Sequence, residues 1–315
     1  MKLGFLYAGQ GSQHPGMGAD LYEEYPAFRQ VYHESEVAFD LCQVSFQDPE
    51  GLLNQTRYTQ PCMVAFAAGL TAVLRELGIV PAAAAGLSLG EYSALHAAGV
   101  FDAKTAVELA AFRGSAMERA AAGVESAMMA VLGLDRDALS AACRQASEVG
   151  TVVIANYNCP GQLVIGGEKA AVELAADLAK RAGARRCLPL KVSGPFHTPL
   201  MAPAGAELAD RFAAMTFHEP RIPVVFNCLG DVNAAQEPIP ELLVRQVQSS
   251  VYMEDSLRSL ARLGLDALVE IGPGKVLSGF ARKTVPELPV LTVETAEEVK
   301  KLPELLRQLE KELHL

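Results

Sequence analysis

The sequence predicts an α/β protein in which a large α/β domain carries an inserted ferredoxin-like subdomain. Three observations predict this class. Short apolar strands alternate with helical patterns near the N-terminus, the pattern changes in the middle of the chain, and the first pattern then returns. With 315 residues, the chain is long enough for one large domain and a smaller companion.

The first pattern is strand, glycine-rich turn and long helix. From residue 60 to residue 77, apolar side chains recur at helical spacing, and Pro81 interrupts the chain before the next strand. Asp102 is typical of a helix N-cap. The strands predicted for this larger domain cover residues 3–8, 82–87, 222–226 and 267–271.

The middle of the chain has the order strand, helix, strand, strand, helix, strand. These elements are predicted at residues 127–134, 136–147, 151–156, 163–167, 170–182 and 185–190. The order βαββαβ is that of a ferredoxin-like unit. We therefore predict a small subdomain over residues 126–191, inserted into a catalytic domain that comprises residues 1–125 and 192–315.

Composition excludes several classes of function. The 27 basic and 37 acidic residues give a net charge of −10, which disfavours nucleic-acid binding. No apolar run approaches the roughly 20 residues of a membrane helix, and the N-terminus lacks the features of a secretory signal, so a cytoplasmic location is expected. The six cysteines are scattered without metal-site spacing, and no metal site is predicted.

The strongest local signal is the segment Gly86-Leu87-Ser88-Leu89-Gly90-Glu91, a G-x-S-x-G motif between a small-residue strand and an apolar helix. This is the setting of a nucleophile elbow, in which a sharp turn leaves no room for side chains beside the serine. Ser88 would lie at a helix N-terminus, where developing negative charge is favoured. The larger domain is therefore predicted to be α/β-hydrolase-like. The alternative is an N-capping serine in a tight turn.

A serine nucleophile needs a base, and His197 is the first candidate among the histidines. It lies between Pro195 and Pro199, in a rigid turn where the chain returns from the inserted segment. His218 is a weaker candidate, and His96 lies on the helix that follows Ser88 but is expected to point away from it. A structural role is the alternative for each of them.

Motifs along nearly the entire chain resemble, in order and spacing, those of the malonyl-CoA:acyl carrier protein transacylases. They are Gly9-Gln10-Gly11-Ser12-Gln13, Gly86-Leu87-Ser88-Leu89-Gly90-Glu91, Arg113 followed by Met117, Asn156-Tyr157-Asn158-Cys159-Pro160-Gly161-Gln162, Gly194-Pro195-Phe196-His197 and Ile271-Gly272-Pro273-Gly274.

The resemblance implies a two-step transfer of malonyl from malonyl-CoA to the phosphopantetheine thiol of an acyl carrier protein, as in fatty acid synthesis. Ser88 would be the nucleophile and His197 the general base. The backbone amides of Gln10 and Leu89 match the family's oxyanion hole, and the backbone carbonyl of Gln246 matches the group that orients the histidine. No metal or redox cofactor is implied, and a monomer is expected.

The resemblance also assigns the substrate pocket. Arg113 matches the arginine that binds the malonyl carboxylate through two hydrogen bonds, and Met117 follows it one turn later. Phe196 matches the bulky residue of malonyl-selective members, and Asn158 is expected to order the pocket loop. The alternatives are a surface arginine for Arg113 and an ordinary Asn-rich turn for Asn158.

Two positions depart from the family pattern. Leu87 replaces a histidine that many members have before the nucleophile, so tuning of substrate fit or hydrolysis is expected. Ser250 replaces a frequent proline and weakens the alignment at Gln246.

Acyl carrier proteins resemble one another in being acidic, so an acidic enzyme needs a local basic patch to bind one. The densest basic cluster is Lys180, Arg181, Arg185, Arg186 and Lys191, for which a solvated surface is the alternative.

The sequence is compatible with three competing functions. A serine thioesterase would use the same elbow and histidine, but it has no need of a carboxylate-binding arginine. A discrete acyltransferase that supplies a polyketide synthase would differ only in its carrier. An inactive carrier-binding module would have lost Ser88 or His197, and both are present.

Overall fold

The structure is a computed structural model that describes residues 1–313. The N-terminal part contains β1 (Leu3–Tyr7), α1 (Ala19–Glu24), α2 (Pro26–Glu34), α3 (Leu41–Phe46), α4 (Thr56–Glu76), β2 (Pro81–Gly86), α5 (Gly90–Ala97) and α6 (Ala103–Ala121). The middle contains β3 (Ser126–Leu132), α7 (Arg136–Ala146), β4 (Val152–Cys159), β5 (Gln162–Glu168), α8 (Lys169–Arg181) and β6 (Arg186–Pro189).

The C-terminal part begins with a 3-10 turn at Pro199–Met201. It continues with α9 (Ala202–Phe212), β7 (Val224–Phe226), β8 (Asp231–Val232), α10 (Ile239–Gln248), α11 (Met253–Arg262), β9 (Ala267–Ile271), α12 (Val276–Thr284), β10 (Val290–Val293) and α13 (Ala296–Glu312). In residues 1–313, no helix is long and apolar enough to cross a membrane.

The chain forms two compact units. The first comprises Met1–Gly114, Phe217–Val225 and the described chain from Arg258 onward, and the second comprises Ser115–Thr216 and Phe226–Leu257. The predicted insertion, residues 126–191, lies wholly within the second unit. The domain boundaries at residues 126 and 191 stay a prediction.

The first unit is built on a parallel sheet in the order β10-β9-β1-β2-β7. Strands β1 and β9 are buried along their whole length, and apart from Glu270 in β9 their sequences carry no charged residue. Because parallel strands end at the same edge, the turns after β1, β2 and β9 lie together there. This edge carries Gln10 and Ser88.

The second unit contains an antiparallel sheet in the order β4-β5-β3-β6. Its core includes Val131, Leu139, Ile154, Ile165 and Val172, which come from β3, β4, β5 and the helices α7 and α8. The observed order βαββαβ confirms the predicted ferredoxin-like unit. Strand β4 continues to Cys159, three residues beyond the predicted end.

Helix ends follow the signals in the sequence. Asp102 Oδ1 accepts a hydrogen bond from the Thr105 amide at 2.8 Å, which confirms the predicted N-cap of α6. A capping box formed by Thr295 and Glu298 begins α13, the helix of the C-terminal tail. The last two residues of that tail lie outside the described residues.

Strand β9 positions α12 through a buried carboxylate. Glu270 accepts hydrogen bonds from the amides of Leu277 (2.9 Å) and Ser278 (2.7 Å) and from the Ser278 hydroxyl (2.5 Å). Burial raises the pKa of Glu270, and the hydrogen bonds from Ser278 oppose that rise. The carboxylate thereby satisfies two amides at the start of α12 that have no partner within the helix.

Glu270→Gln should lower the free energy of unfolding by about 1–3 kcal/mol, because an amide NH₂ group would face backbone donors and leave one of them unsatisfied. Urea unfolding measures the change. The exposed Glu287→Gln is the matched control and should stay within about 0.5 kcal/mol of wild type. An equal effect of the two substitutions would contradict this account of the α12 cap.

Candidate active site

Ser88 occupies a strained turn between β2 and α5. Its φ of 53° lies in the left-handed region, which costs a non-glycine residue about 1–3 kcal/mol. A Cβ at Gly86 would lie 2.0 Å from the carbonyl carbon of Gly90, and a Cβ at Gly90 would lie 2.2 Å from the Tyr7 oxygen. The turn is thus a nucleophile elbow in geometry, and both flanking glycines are required by backbone contacts.

The loop after β1 packs directly on this elbow. The Leu87 amide donates to the Tyr7 carbonyl at 3.0 Å, and a Cβ at Gly9 would lie 2.5 Å from the Leu87 oxygen. Gln10 and Leu89 therefore lie on adjoining turns. Within residues 1–313, neither the Gln10 amide nor the Leu89 amide has a recorded hydrogen-bond acceptor. Two such amides beside a serine can stabilise an oxyanion, and that function stays a prediction.

Arg113 lies buried beside the nucleophile, with only 1% of its surface exposed. Its Nη2 donates to Ser88 Oγ at 3.1 Å, and its Nη1 donates to Gln60 Oε1 at 3.0 Å. The guanidinium carbon is 5.5 Å from the centre of the Tyr92 ring. Burial lowers the pKa of Arg113, and the nearby Tyr92 and Glu91 oppose that shift. The sequence alternative of a surface arginine is therefore wrong.

A chain of side-chain amides holds Arg113 in place. Gln60 Nε2 donates to Gln10 Oε1 at 3.4 Å, and Gln10 Nε2 donates to Thr56 Oγ1 at 3.1 Å. A Cβ at Gly114 would lie 2.7 Å from the Thr56 carbonyl oxygen, so α6 and α4 approach closely at this point. The guanidinium is thus held beside Ser88 by hydrogen bonds to side-chain oxygens, in a position where its donors can also bind an anionic ligand.

Sequence reasoning missed Gln60, Thr56 and Tyr92. Gln60 and Thr56 are fully buried polar residues on α4. Most of the other buried residues of this helix are apolar. A glutamine in such a helix was the available signal, because a buried amide needs partners. Nothing local to the sequence indicates which partners it has.

The second unit holds His197 in an equally strained turn. Its φ is 61°, and its side chain is 4% exposed. Thr198 Oγ1 donates to the Pro195 carbonyl at 2.6 Å, which closes the turn between the two prolines. The Nδ1 atom is 2.9 Å from the carbonyl oxygen of Gln246. Since a carbonyl only accepts, Nδ1 carries the proton and Nε2 keeps its lone pair.

The carbonyl of Gln246 is positioned by the chain that follows α10. Val251 pairs with Asn156 as an isolated parallel bridge, so this segment extends the sheet at β4. Ser250 Oγ donates to the Ile154 carbonyl at 2.7 Å, a bond that a proline there could not make. The rings of Tyr157 and Tyr252 stack with their centres 4.9 Å apart.

Arg136 fastens the same segment from the other side. Its guanidinium lies 4.9 Å from the centre of the Tyr157 ring and forms ion pairs with Glu254 (3.1 Å) and Asp255 (2.8 Å). Helix α10 and the strand pairing after it are thereby tied to the ferredoxin-like sheet of the same unit.

The other predicted pocket residues also fall in the second unit. Phe196, Met117 and Asn158 are all buried, and within residues 1–313 the Oδ1 atom of Asn158 has no hydrogen-bond partner. A buried amide oxygen without a partner can accept a hydrogen bond from a ligand. Their predicted contacts with a substrate stay predictions, and the same holds for the assignments of Ser88, His197 and Gln246.

Two other histidines have different environments. His96 is buried on α5, and its Nδ1 lies 3.2 Å from the Phe101 carbonyl. His218 is exposed, and its backbone amide donates to the Val100 carbonyl at 3.0 Å. No group of three or more His, Cys, Asp or Glu in the described part of the chain could hold a metal ion.

Comparison with known proteins identifies the family. The model of the acyl transferase domain matches residues 4–314. The chain belongs to the acyl transferase family. A malonyl CoA-acyl carrier protein transacylase of Bacillus subtilis is 40% identical over 310 residues, which are 98% of this chain and 98% of the relative.

Solved structures of acyl transferases share the fold. The malonyl CoA-acyl carrier protein transacylase of Clostridium perfringens superposes with a TM-score of 0.96 at 36% identity, and the match covers 100% of both chains. A malonyl-transacylase in complex with its type II PKS acyl-carrier protein gives 0.92 at 38% identity, with 96% of this chain and 99% of that chain covered. These matches confirm the predicted α/β-hydrolase-like domain with its ferredoxin-like subdomain.

Gly86→Ala should lower the free energy of unfolding by about 3 kcal/mol or more, because the new Cβ meets backbone atoms that cannot move independently. Gly279→Ala in α12 is the control, since its Cβ meets nothing within 4 Å and alanine favours helix. It should be neutral or stabilising by up to about 1 kcal/mol. Urea midpoints of both variants test this, and a loss below about 1 kcal/mol at Gly86 would refute the account of the elbow.

His96 should make stability dependent on pH. Burial lowers its pKa below the ordinary value of 6.5, so the unfolded chain binds its proton first as the pH falls. The stabilisation is present above about pH 6.5 and is lost below it, by up to about 1.4 kcal/mol per pH unit. Relative to wild type, His96→Gln should gain stability between pH 7 and pH 5 in urea unfolding. A constant difference would show that His96 does not titrate on unfolding.

Proposed function

We propose that this acyl transferase moves a malonyl group from malonyl-CoA to the phosphopantetheine thiol of an acyl carrier protein. The observation that carries the proposal is the buried guanidinium of Arg113, whose Nη2 lies 3.1 Å from Ser88 Oγ. A malonyl group on Ser88 places a free carboxylate two carbons beyond the ester carbonyl. That carboxylate fits the bidentate donors of Arg113, whereas an uncharged acyl group would leave them facing an apolar chain.

In the first half-reaction, Ser88 Oγ attacks the thioester carbonyl of malonyl-CoA, and Nε2 of His197 accepts the hydroxyl proton. The amides of Gln10 and Leu89 stabilise the oxyanion. The C–S bond then breaks, the coenzyme A sulfur takes the proton from His197, and a malonyl-serine ester remains.

In the second half-reaction, the carrier's thiol gives its proton to His197 and attacks the malonyl-serine carbonyl. The C–O bond to Ser88 breaks, and the serine oxygen recovers the proton. One thioester is exchanged for another, so atoms and electrons balance without a metal or redox cofactor. The carbonyl of Gln246 keeps Nδ1 protonated throughout, and no acidic triad member is needed.

Arg113 discriminates against acyl groups that lack a carboxylate, because their binding costs free energy. Acetyl has no carboxylate to accept hydrogen bonds from Arg113, and the loss of this charged interaction costs about 2–5 kcal/mol by analogy with interfacial charge pairs. The bonds from Arg113 to Ser88 and Gln60 are to neutral oxygens, so a carboxylate replaces them favourably. The family resemblance assigns Met117, Asn158 and Phe196 to substrate binding, and the bulk of Phe196 would disfavour an α-methyl group by about 1–3 kcal/mol.

The carrier has two candidate sources. The family resemblance supports fatty acid synthesis as the first candidate, and the solved complex of a similar malonyl-transacylase with a type II PKS carrier supports polyketide synthesis as the second. The chemistry of Ser88 and Arg113 is the same in both. The six free cysteines support a cytoplasmic location, and a monomer stays a prediction.

Intact-mass spectrometry of the protein mixed with malonyl-CoA should show one malonyl adduct in wild type and none in Ser88→Ala. Arg113→Ala should form the adduct at least about thirtyfold more slowly, since an interaction of 2 kcal/mol or more is lost. Adding holo acyl carrier protein should discharge the wild-type adduct onto the carrier.

Arg119→Ala is the matched control, because this exposed arginine of α6 is paired with Glu207. It should form the adduct at the wild-type rate. If the wild-type adduct is hydrolysed as fast without the carrier as with it, the protein is a thioesterase. If wild type forms no adduct, the inactive carrier-binding module is favoured.

A further inference from the structure

Three neighbouring strands of the parallel sheet end in segments that contact one another. The order β10-β9-β1 places the ends of these strands side by side at the carboxyl edge of the sheet. A Cβ at Gly272 would lie 2.5 Å from the Cβ of Ala8. A Cβ at Gly274 would lie 3.6 Å from that of Ser12, which is ordinary van der Waals contact. The loop after β9 therefore packs on the loop after β1, which carries Gln10.

Glu294, the first residue after β10, bonds to both of these loops. Its Oε1 lies 2.6 Å from Nε2 of His14, which follows Gln10 by four residues in the loop after β1. Its Oε2 accepts a hydrogen bond from the Gly274 amide of the loop after β9 at 2.9 Å. One carboxylate thus joins the ends of three strands.

The backbone of Glu294 is itself fixed at the start of α13. Its amide donates to Oε2 of Glu298, the residue that completes the capping box of this helix, at 2.8 Å. Two residues beyond Glu294, the Ala296 amide donates to Asp20 Oδ2 of α1 at 2.7 Å. The Glu294 carboxylate therefore extends from a point that α1 and α13 hold in place.

Both ring nitrogens of His14 face oxygens that accept hydrogen bonds. Nε2 faces the Glu294 carboxylate, and Nδ1 lies 3.1 Å from the Pro15 carbonyl oxygen. A neutral imidazole has one N–H and can satisfy one of these oxygens, whereas the imidazolium donates to both. The hydrogen bond to Glu294 raises the pKa of His14 above its ordinary value of 6.5, and partial burial opposes the rise. The geometry therefore favours the cationic form of His14.

The other charged groups around this pair come from α13, α1 and the loop after β9. Glu298 lies one turn beyond Glu294 and is 3.9 Å from Lys275 Nζ in that loop. Asp20 reaches the start of α13 from α1. Among these side-chain types, histidine is the one whose charge ordinarily changes between about pH 5 and pH 8. A pH-dependent change at this contact is therefore assigned to His14.

We propose that His14 and Glu294 form a positioning pair, which holds the loop that presents the Gln10 amide to the oxyanion when His14 is cationic. This inference rests on the proposed function, in which that amide stabilises the oxyanion. Gln13 of the same loop is held by a neutral bond, from its Nε2 to Asn54 Oδ1 at 3.0 Å. Neutral bonds do not change with pH in this range, so the pH dependence enters through His14.

The pair gives the first half-reaction a second dependence on pH. His14 stays cationic below pH 6.5, and it loses its proton as the pH rises through its raised pKa. The neutral ring gives up one of its two hydrogen bonds, and the loop loosens. Because an oxyanion donor must lie about 2.7–3.1 Å from the developing charge, a small displacement lowers the rate. This effect opposes that of His197, whose deprotonation at rising pH makes it a base.

Adduct formation from malonyl-CoA between pH 6 and pH 9 tests the pair in the full-length protein. The amide nitrogen of His14→Gln can donate to Glu294 at every pH. The wild-type rate divided by the rate of this variant should therefore fall from about one at pH 6 to about one third or less at pH 9. His14→Ala lacks a donor and should be about threefold slower than His14→Gln at both pH values. Half-saturating malonyl-CoA should stay within about twofold, because the pair acts on the transition state.

A second measurement needs no substrate. In an NMR titration of wild type, the backbone amide signal of Gln10 should shift with the same midpoint as the ring of His14. That midpoint should be lower in Glu294→Gln, because the variant removes the negative charge beside the ring. In His14→Gln, the Gln10 signal should show no shift at the wild-type midpoint.

His218→Gln is the matched control, because His218 is an exposed histidine of the same unit and lies outside the loop. It should match wild type at every pH. The proposal is overturned if His14→Ala is as fast as His14→Gln, or if the Gln10 signal does not follow the titration of His14. If wild type forms no adduct at any pH, the proposed function fails, and the NMR titration still decides whether the pair holds the loop.

Discussion

The site in the first unit depends on one steric constraint: backbone atoms occupy the space beside both glycines that flank Ser88. The start of α5 meets the end of β2 at Gly86, and the end of β1 meets α5 at Gly90. This contact forces Ser88 to a φ of 53°, at a cost that the surrounding buried sheet offsets. The end of β1, which leads into the loop that carries Gln10, is bonded to the same turn through the Leu87 amide and the Tyr7 carbonyl.

Electrostatics then decide what such a serine can react with. A buried arginine is costly unless polar groups surround it, and Arg113 donates to Gln60, which in turn donates to Gln10. In the proposed function, the guanidinium binds the malonyl carboxylate next to Ser88. That bond would distinguish malonyl transfer from general ester hydrolysis.

The second unit holds His197, the proposed base, in a similarly strained turn. His197 is also held at positive φ, and a backbone carbonyl orients it where many hydrolases use a carboxylate. A carbonyl fixes the tautomer without adding a negative charge, and a malonyl group already carries one. The strand pairing of Val251 and the stack of Tyr157 on Tyr252 keep that carbonyl in place.

Most strands and helices and the chemistry-bearing motifs are predictable from the sequence, because apolar runs, helix caps and the glycine-flanked serine are local patterns in the chain. The ferredoxin-like order and the arginine are also predictable. The groups that contact Arg113 and the residues that hold Gln246 follow from the folded structure, since those contacts join positions such as Gln60 and Arg113 that are 53 residues apart. Hydrogen-bond partners at that separation leave no periodic trace in a sequence, so folding alone brings them together.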